Sequence, residues 1–245
     1  MKSKIYVYAS RFFPKGTLNI VPNDPHGLGT FESPYLIITE AQLLSLAAGL
    51  FVNNFTAYYR LEKDIALTTS PWIPIGGNGK DAFSGVFDGN GYKITNMVIT
   101  QNNIEYSGLF GQSSGTIKNL GVNGIISNIT TGGILVGYNT GIIHQCYSTG
   151  SVSSSKSECV LGGLVGNNSS YSNSVIENSY SKASLTSTAS NGEVGALIGR
   201  FGYGSVRRCF ASGVVNGSGC YYGGLIGRIY SAGTLISNNS NTLTC

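Results

Sequence analysis

The 245-residue sequence predicts an all-β chain wound as a parallel β-helix, a solenoid with one short N-terminal capping helix. Five glycine-bracketed apolar steps recur: SGLFG ending at Gly111, GILVG at Gly137, GGLVG at Gly166, GALIG at Gly199 and GGLIG at Gly227, with gaps of 26, 29, 33 and 28 residues. A second phrase follows each step: TIKNLG, IIHQCY, VIENSY, SVRRCF and a worn TLISNN. Units of roughly 20–50 residues that repeat along a chain mark a solenoid, in which each unit buries its apolar edge against its neighbours. Composition agrees. With 35 Gly, 41% hydrophobic and only 11% charged residues, the chain suits stacked strands joined by tight turns. An antiparallel sandwich would instead show alternating hairpins without a long-range register.

Taken in order, residues 1–30 read as irregular, with IYVYAS as a first strand and PNDPHGLGT as a turn-rich loop. YLIIT (35–39) reads as a strand. The run TEAQLLSLAAGL then places apolar residues at helical spacing, with Thr39 as N-cap, Gln42 completing a capping box and Gly49 as the stop. Leu43, Leu44, Leu46 and Ala47 form the face available to bury. YYRLEKDIAL (58–67) reads as one further strand, and PWIPIGG follows with the only tryptophan, Trp72. FSGVFDGNGYKITNMVIT (83–100) gives two strands about the turn DGNG, which Asp88 braces. Residues 1–82 thus form a capping region, and residues 83–245 form the coils.

The steps SGLFG, GGLVG and GGLIG resemble the repeat of the GLUG-motif family of bacterial and phage surface proteins. The segments GTFESPYLIITEAQLLSLA, YYRLEKDIAL, WIPIG and FSGVFDGNGYKITNMVI are similar to the region that precedes such repeats. The resemblance spans roughly residues 27–240. It implies a right-handed β-helix used in adhesin-like and peptidase-associated surface proteins, with no agreed catalytic residues to carry over. Ala196 in place of a step glycine and the lost aromatic of the last second phrase depart from the pattern.

A net charge of +4 without a basic run argues against nucleic-acid binding. No stretch approaches the ~18 apolar residues that would insert in a membrane. The first residues, MKSKIYVYASRFFPKG, lack the apolar run of a signal peptide; the extracellular, cell-surface or virion location that the resemblance implies is expected to be reached with an export signal not in this sequence or by another route. No cofactor or metal is expected: His26 and His144 are the only histidines, without CxxC or HExxH spacing. Cys146 and Cys209 share a repeat position, with Ser179 between them, and Cys159 and Cys220 share another, with Gly192 between them. Stacking at ~4.8 Å per coil puts each pair ~9.6 Å apart, beyond the ~7 Å reach of a disulfide, so free thiols are expected.

From residue 101 the acids are Glu105, Glu158, Glu177 and Glu193, read as isolated surface groups rather than a catalytic pair. The residue after each step glycine should form an outward ladder, Gln112, Tyr138, Asn167, Arg200, Arg228. Arg200 and Arg228, with Arg207, Arg208, Tyr203 and Tyr222 nearby, are the candidate ligand-binding residues, because arginine beside tyrosine suits an anionic glycan or a protein partner. The sequence reads as a non-enzymatic β-helical binding or adhesion module that recognises a glycan or a host or bacterial surface protein. A polysaccharide-degrading hydrolase or lyase and a purely structural spacer are the alternatives. The last phrase is too short for a lid, so a longer parent chain, self-capping by the final strand or homo-oligomer docking at the C-terminal coil is expected.

Overall fold

The computed structural model describes residues 26–100, 103–168, 174–230, 235–237 and 240–244. The IYVYAS strand expected near the N-terminus lies outside the described residues. Every ladder is parallel, and the strands sort into four sheets of eight, five, five and seven members. In the coil that opens with Thr131–Gly133, the chain passes through a short sheet there and a step sheet at Val136–Asn139. It then joins the eight-stranded sheet at Ile142–His144 and a long sheet at Tyr147–Ser154 before starting the next turn. Each strand pairs only with its equivalents one turn before and after, which is the β-helix the sequence predicts.

The step leucines stack as required. The amide of Phe110 donates to Leu135 O, that of Leu135 to Leu164 O, that of Leu164 to Leu197 O and that of Leu197 to Leu225 O, at 2.9–3.0 Å. Leu109, Leu135, Leu164 and Leu197 are fully buried, and Leu225 packs against the same core.

The bracketing glycines have a steric reason. A Cβ on Gly166 would lie 2.7 Å from the Gly132 backbone, one on Gly199 2.8 Å from the Leu161 backbone, and one on Gly227 2.6 Å from Val194 N. From the facing side, a Cβ on Gly133 would lie 2.5 Å from Gly166 N, and one on Gly162 would collide with Val165 O. The short and step sheets are therefore pressed together backbone to backbone, and two glycine columns let them close.

At the corner between the eight-stranded and long sheets the chain turns through left-handed backbone at Asn119, Gln145, Asn178 and Arg208, φ 50–53°. Asparagine tolerates this conformation and arginine much less so. Inside the preceding corner, between the step and eight-stranded sheets, Asn139 donates to Asn168 Oδ1 at 2.8 Å, a buried amide contact between adjacent turns.

The capping helix runs Glu40–Ala48, with the Thr39 hydroxyl and Gln42 forming the expected capping box and Gly49 in the left-handed region. Leu43, Leu46 and Ala47 are buried in the common core, and Leu44 only partly so. One expectation needs correction. YYRLEKDIAL is not one strand: Tyr58–Leu61 belongs to the eight-stranded sheet and Ile65–Ala66 to the long sheet. Glu62, Lys63 and Asp64 supply the polar corner between them. PWIPIGG also forms more than a closing loop, because Ile75 bridges Phe110 and supplies the first rung of the step sheet. Trp72 lies fully buried, its indole N–H on Leu109 O at 3.2 Å.

Candidate functional site

The outward ladder forms in the expected register: Gln112 beside Tyr138, Tyr138 beside Asn167, Asn167 beside Arg200, Arg200 beside Arg228. Two arginines directly opposed on parallel strands repel, and Glu193 resolves the conflict. Its side chain is only 3% exposed and lies between them, with Arg200 Nε donating to Oε2 at 2.5 Å and Arg228 Nη1 to Oε1 at 3.5 Å. Tyr230 donates its hydroxyl to the same Oε1 at 2.6 Å, and this bond raises the phenol pKa above its usual value. Arg228 lies over the rings of Tyr221 and Tyr230, at 4.5 and 4.6 Å.

Arg207 and Arg208 lie elsewhere, on the eight-stranded sheet and its corner. The outer face of that sheet carries a column of titratable side chains of both signs: Arg60, Asp88, Lys118, His144, Glu177, Arg207. Glu177 receives Arg207 Nε at 2.7 Å, Arg208 Nη2 at 2.9 Å and His144 Nδ1 at 3.0 Å. The Arg207 hydrogen bond is the main reason its carboxyl is held below the ordinary range. Burial would raise the Asp88 carboxyl, but hydrogen bonds from Asn119, the Asn90 amide and Lys118 hold it low. These contacts correct the reading of the coil acids as isolated: Glu177 and Glu193 are each the hub of an arginine cluster. The Glu177 hub holds two arginines on one carboxylate, while Arg200 at the other hub also feels the charge of Glu158.

The six candidate residues therefore do not form one site. Arg200 and Arg228 share Glu193, and Arg207 and Arg208 share Glu177. Tyr203 is exposed in the turn before Ser205–Arg207, and Tyr222 sits on the short sheet with its hydroxyl donated to Ser187 O at 3.3 Å.

The most regular outer feature was not among the candidates. Tyr147, Tyr180 and Phe210 occupy one register column of the long sheet. Their rings stack with centroids 5.1 and 4.8 Å apart and planes 7° and 16° from parallel. Ring contact needs only ~3.5–4 Å, so the rings are offset, and each leaves part of a face uncovered. All three are half-buried. The next outward column holds Asn123, Thr149 and Lys182, with Asn123 Nδ2 on Thr149 Oγ1 at 3.0 Å and Lys182 Nζ over Tyr180 at 5.5 Å. A hollow of about 320 Å3 opens beside Tyr147, lined by Lys93, Thr95, Asn123 and Thr149. The signal was the recurring aromatic in QCY, NSY and RCF.

No family model matches the chain. The fold is similar to a solved structure described as a "putative immunoglobulin A1 protease" from Bacteroides ovatus, with a TM-score of 0.70 and 27% identity, covering 88% of this chain and 68% of that one. Among curated proteins, a "Putative Gly-rich membrane protein" of Evansella cellulosilytica is 38% identical over 109 residues, 40% of this chain and 12% of the relative. Halomucin of Haloquadratum walsbyi is 39% identical over 94 residues, 36% of this chain and 1% of the relative. The matches thus span only small fractions of these two relatives. Among the described residues no helix is long and apolar enough to cross a membrane, and no three His, Cys, Asp or Glu gather as a metal cluster.

Proposed function

We propose that this chain is a non-enzymatic β-helical binding module, displayed on a cell surface or virion, that recognises a glycan along its long sheet. The offset stack of Tyr147, Tyr180 and Phe210 carries the reading. Half-open aromatic faces accept the C–H side of a sugar ring. The Asn123, Thr149 and Lys182 column beside them supplies amide, hydroxyl and ammonium groups for sugar oxygens. Because strands fix both columns, little freedom is lost on binding.

Two observations support a binding surface over a catalytic centre. Glu177 and Glu193 are held by arginines, and His144 is paired with Glu177 rather than with a nucleophile. The name of one curated relative, a membrane protein, and the resemblance to GLUG-repeat surface proteins support a place at the cell surface. Arg207 and Arg208, two arginines held on the single carboxylate of Glu177 at the corner that leads into Phe210, favour an acidic glycan.

The test is a glycan array probed with the purified chain while reaction products are followed by mass spectrometry. Retained glycans without cleavage are expected, with affinity for acidic members falling as salt rises. Tyr147→Ala/Tyr180→Ala should lose about tenfold or more in affinity, as expected when anchoring aromatics are removed. Undiminished binding by that variant, or cleavage of a bound glycan, would overturn the reading.

A further inference from the structure

We propose that Cys159 and Cys220, facing each other across Gly192, form a two-coordinate site for a soft, thiophilic metal ion of the copper(I) class. The three residues occupy one position on three successive turns: Glu193 N donates to Cys159 O at 2.7 Å, and Tyr221 N to Gly192 O at 2.8 Å. A Cβ placed on Gly192 would sit 2.7 Å from the Cys220 sulfur and 3.0 Å from the Cys159 sulfur. The sulfurs therefore cannot be further apart than the sum of those distances, 5.7 Å. Two thiolates on one ion, each bonded at ~2.3 Å, stand about 4.6 Å apart when linear. That ceiling admits the separation a linear site requires, with the space left by the missing Gly192 side chain between the two sulfurs.

A disulfide does not suit the same pair, because two coil spacings, ~9.6 Å, exceed the ~7 Å Cα limit. Thiolate ligands select soft ions. The Ser187 hydroxyl lies 3.4 Å from the Cys159 sulfur and 3.2 Å from that of Cys220, placed to hydrogen-bond either thiolate. Burial pushes the Cys159 thiol up. Capture of a monovalent ion releases two protons to solvent and leaves one negative charge on the S–metal–S unit. Cys159 is fully buried and Cys220 only half-buried, which gives the ion its approach on the Cys220 side.

The molecule carries its own control. Cys146 and Cys209 form a second matched pair, but Ser179 stands between them and donates to Glu177 O while accepting from Cys146 N. That column is filled.

The experiment uses the full chain carrying Cys146→Ser, Cys209→Ser and Cys245→Ser, the first two changes copying Ser179. Silver(I), which does not change redox state, is titrated in chloride-free buffer. Native mass spectrometry reads the stoichiometry, a competing chelator the affinity, and ultraviolet thiolate-to-metal absorption the ligation. One silver per chain is expected. Cys159→Ser or Cys220→Ser should each weaken it about 100-fold, the usual gain from a second tethered ligand. Gly192→Ala, which keeps both thiols and fills the gap, should weaken it about tenfold or more, with the fold checked by circular dichroism. Two silver ions bound independently would overturn the proposal. So would single-thiol variants that match the parent, or a folded Gly192→Ala with unchanged affinity. Should Gly192→Ala not fold, the two serine variants decide alone.

Discussion

The capping region and the regular coils solve the same interior differently. Between residues 35 and 110 the core is aromatic: Tyr35, Phe51, Tyr59, Phe83, Phe87 and Phe110 form a chain of ring contacts 5.1–6.5 Å apart, with Trp72 buried nearby. From Ile117 to Val206 the buried apolar residues are leucine, isoleucine, valine, alanine and cysteine, with Phe201 the exception, and the stacked rings have moved outside. Where a helix and uneven turns break the coil geometry, large flat rings fill the irregular space. Where turns superpose, branched aliphatic side chains and glycine pack in files, and a ring column becomes available for display.

The largest effect should come from breaking the irregular end. Trp72→Ala removes the largest fully buried side chain and its bond to Leu109 O, and should cost about 3–5 kcal/mol in chemical denaturation. Equal or smaller loss than for Leu164→Ala in the regular coils would show that the aromatic core is no more demanding than the aliphatic one. Gly162→Ala probes the regular part, since its Cβ meets the backbone carbonyl of Val165 rather than a movable side chain. It should reach the upper end of the ~1–3 kcal/mol typical of overpacking. Gly49→Ala offers the contrast: its Cβ meets nothing within 4 Å, so only the cost of its φ of 81° applies.

Thr39→Ala should cost about 1 kcal/mol by removing the helix cap, while Thr39→Ser should restore most of it. The smallest effect concerns pH. The Glu177 carboxyl is held below its ordinary 4.5, so its contribution is present above the unfolded pKa and lost as pH falls through the folded value. Melting-temperature profiles should therefore show Glu177→Gln less stable than the parent near neutral pH, with the two curves converging in acid. Parallel curves would mean that the arginine cluster adds no pH-linked stability.

Much of the coil architecture was legible because periodicity reports it directly. The glycine steps, the leucine file and the outward ladder through Arg200 and Arg228 all follow from repeat position. The capping box was readable because Thr39 and Gln42 act locally. The split of residues 58–67 between two sheets was not, since a polar corner such as EKD also suits the exposed side of a strand. Glu193 and Glu177 were missed for a different reason. Their partners lie 7 and 30 residues on: Arg200 meets Glu193 only because the chain bends from the short to the step sheet within one turn, and Arg207 meets Glu177 only because whole turns stack. Side-chain pairing across turns is visible in a sequence only once the register of every turn is fixed.

The flush seam of glycine backbones also constrains how such a chain changes length. An extra residue within GGLVG would carry a side chain into a space that admits none, whereas duplication of a complete unit repeats the seam undisturbed. Growth or shortening by inheritance therefore proceeds in whole turns, each shifting whatever lies beyond it by ~4.8 Å, so the reach of the molecule is counted in integers.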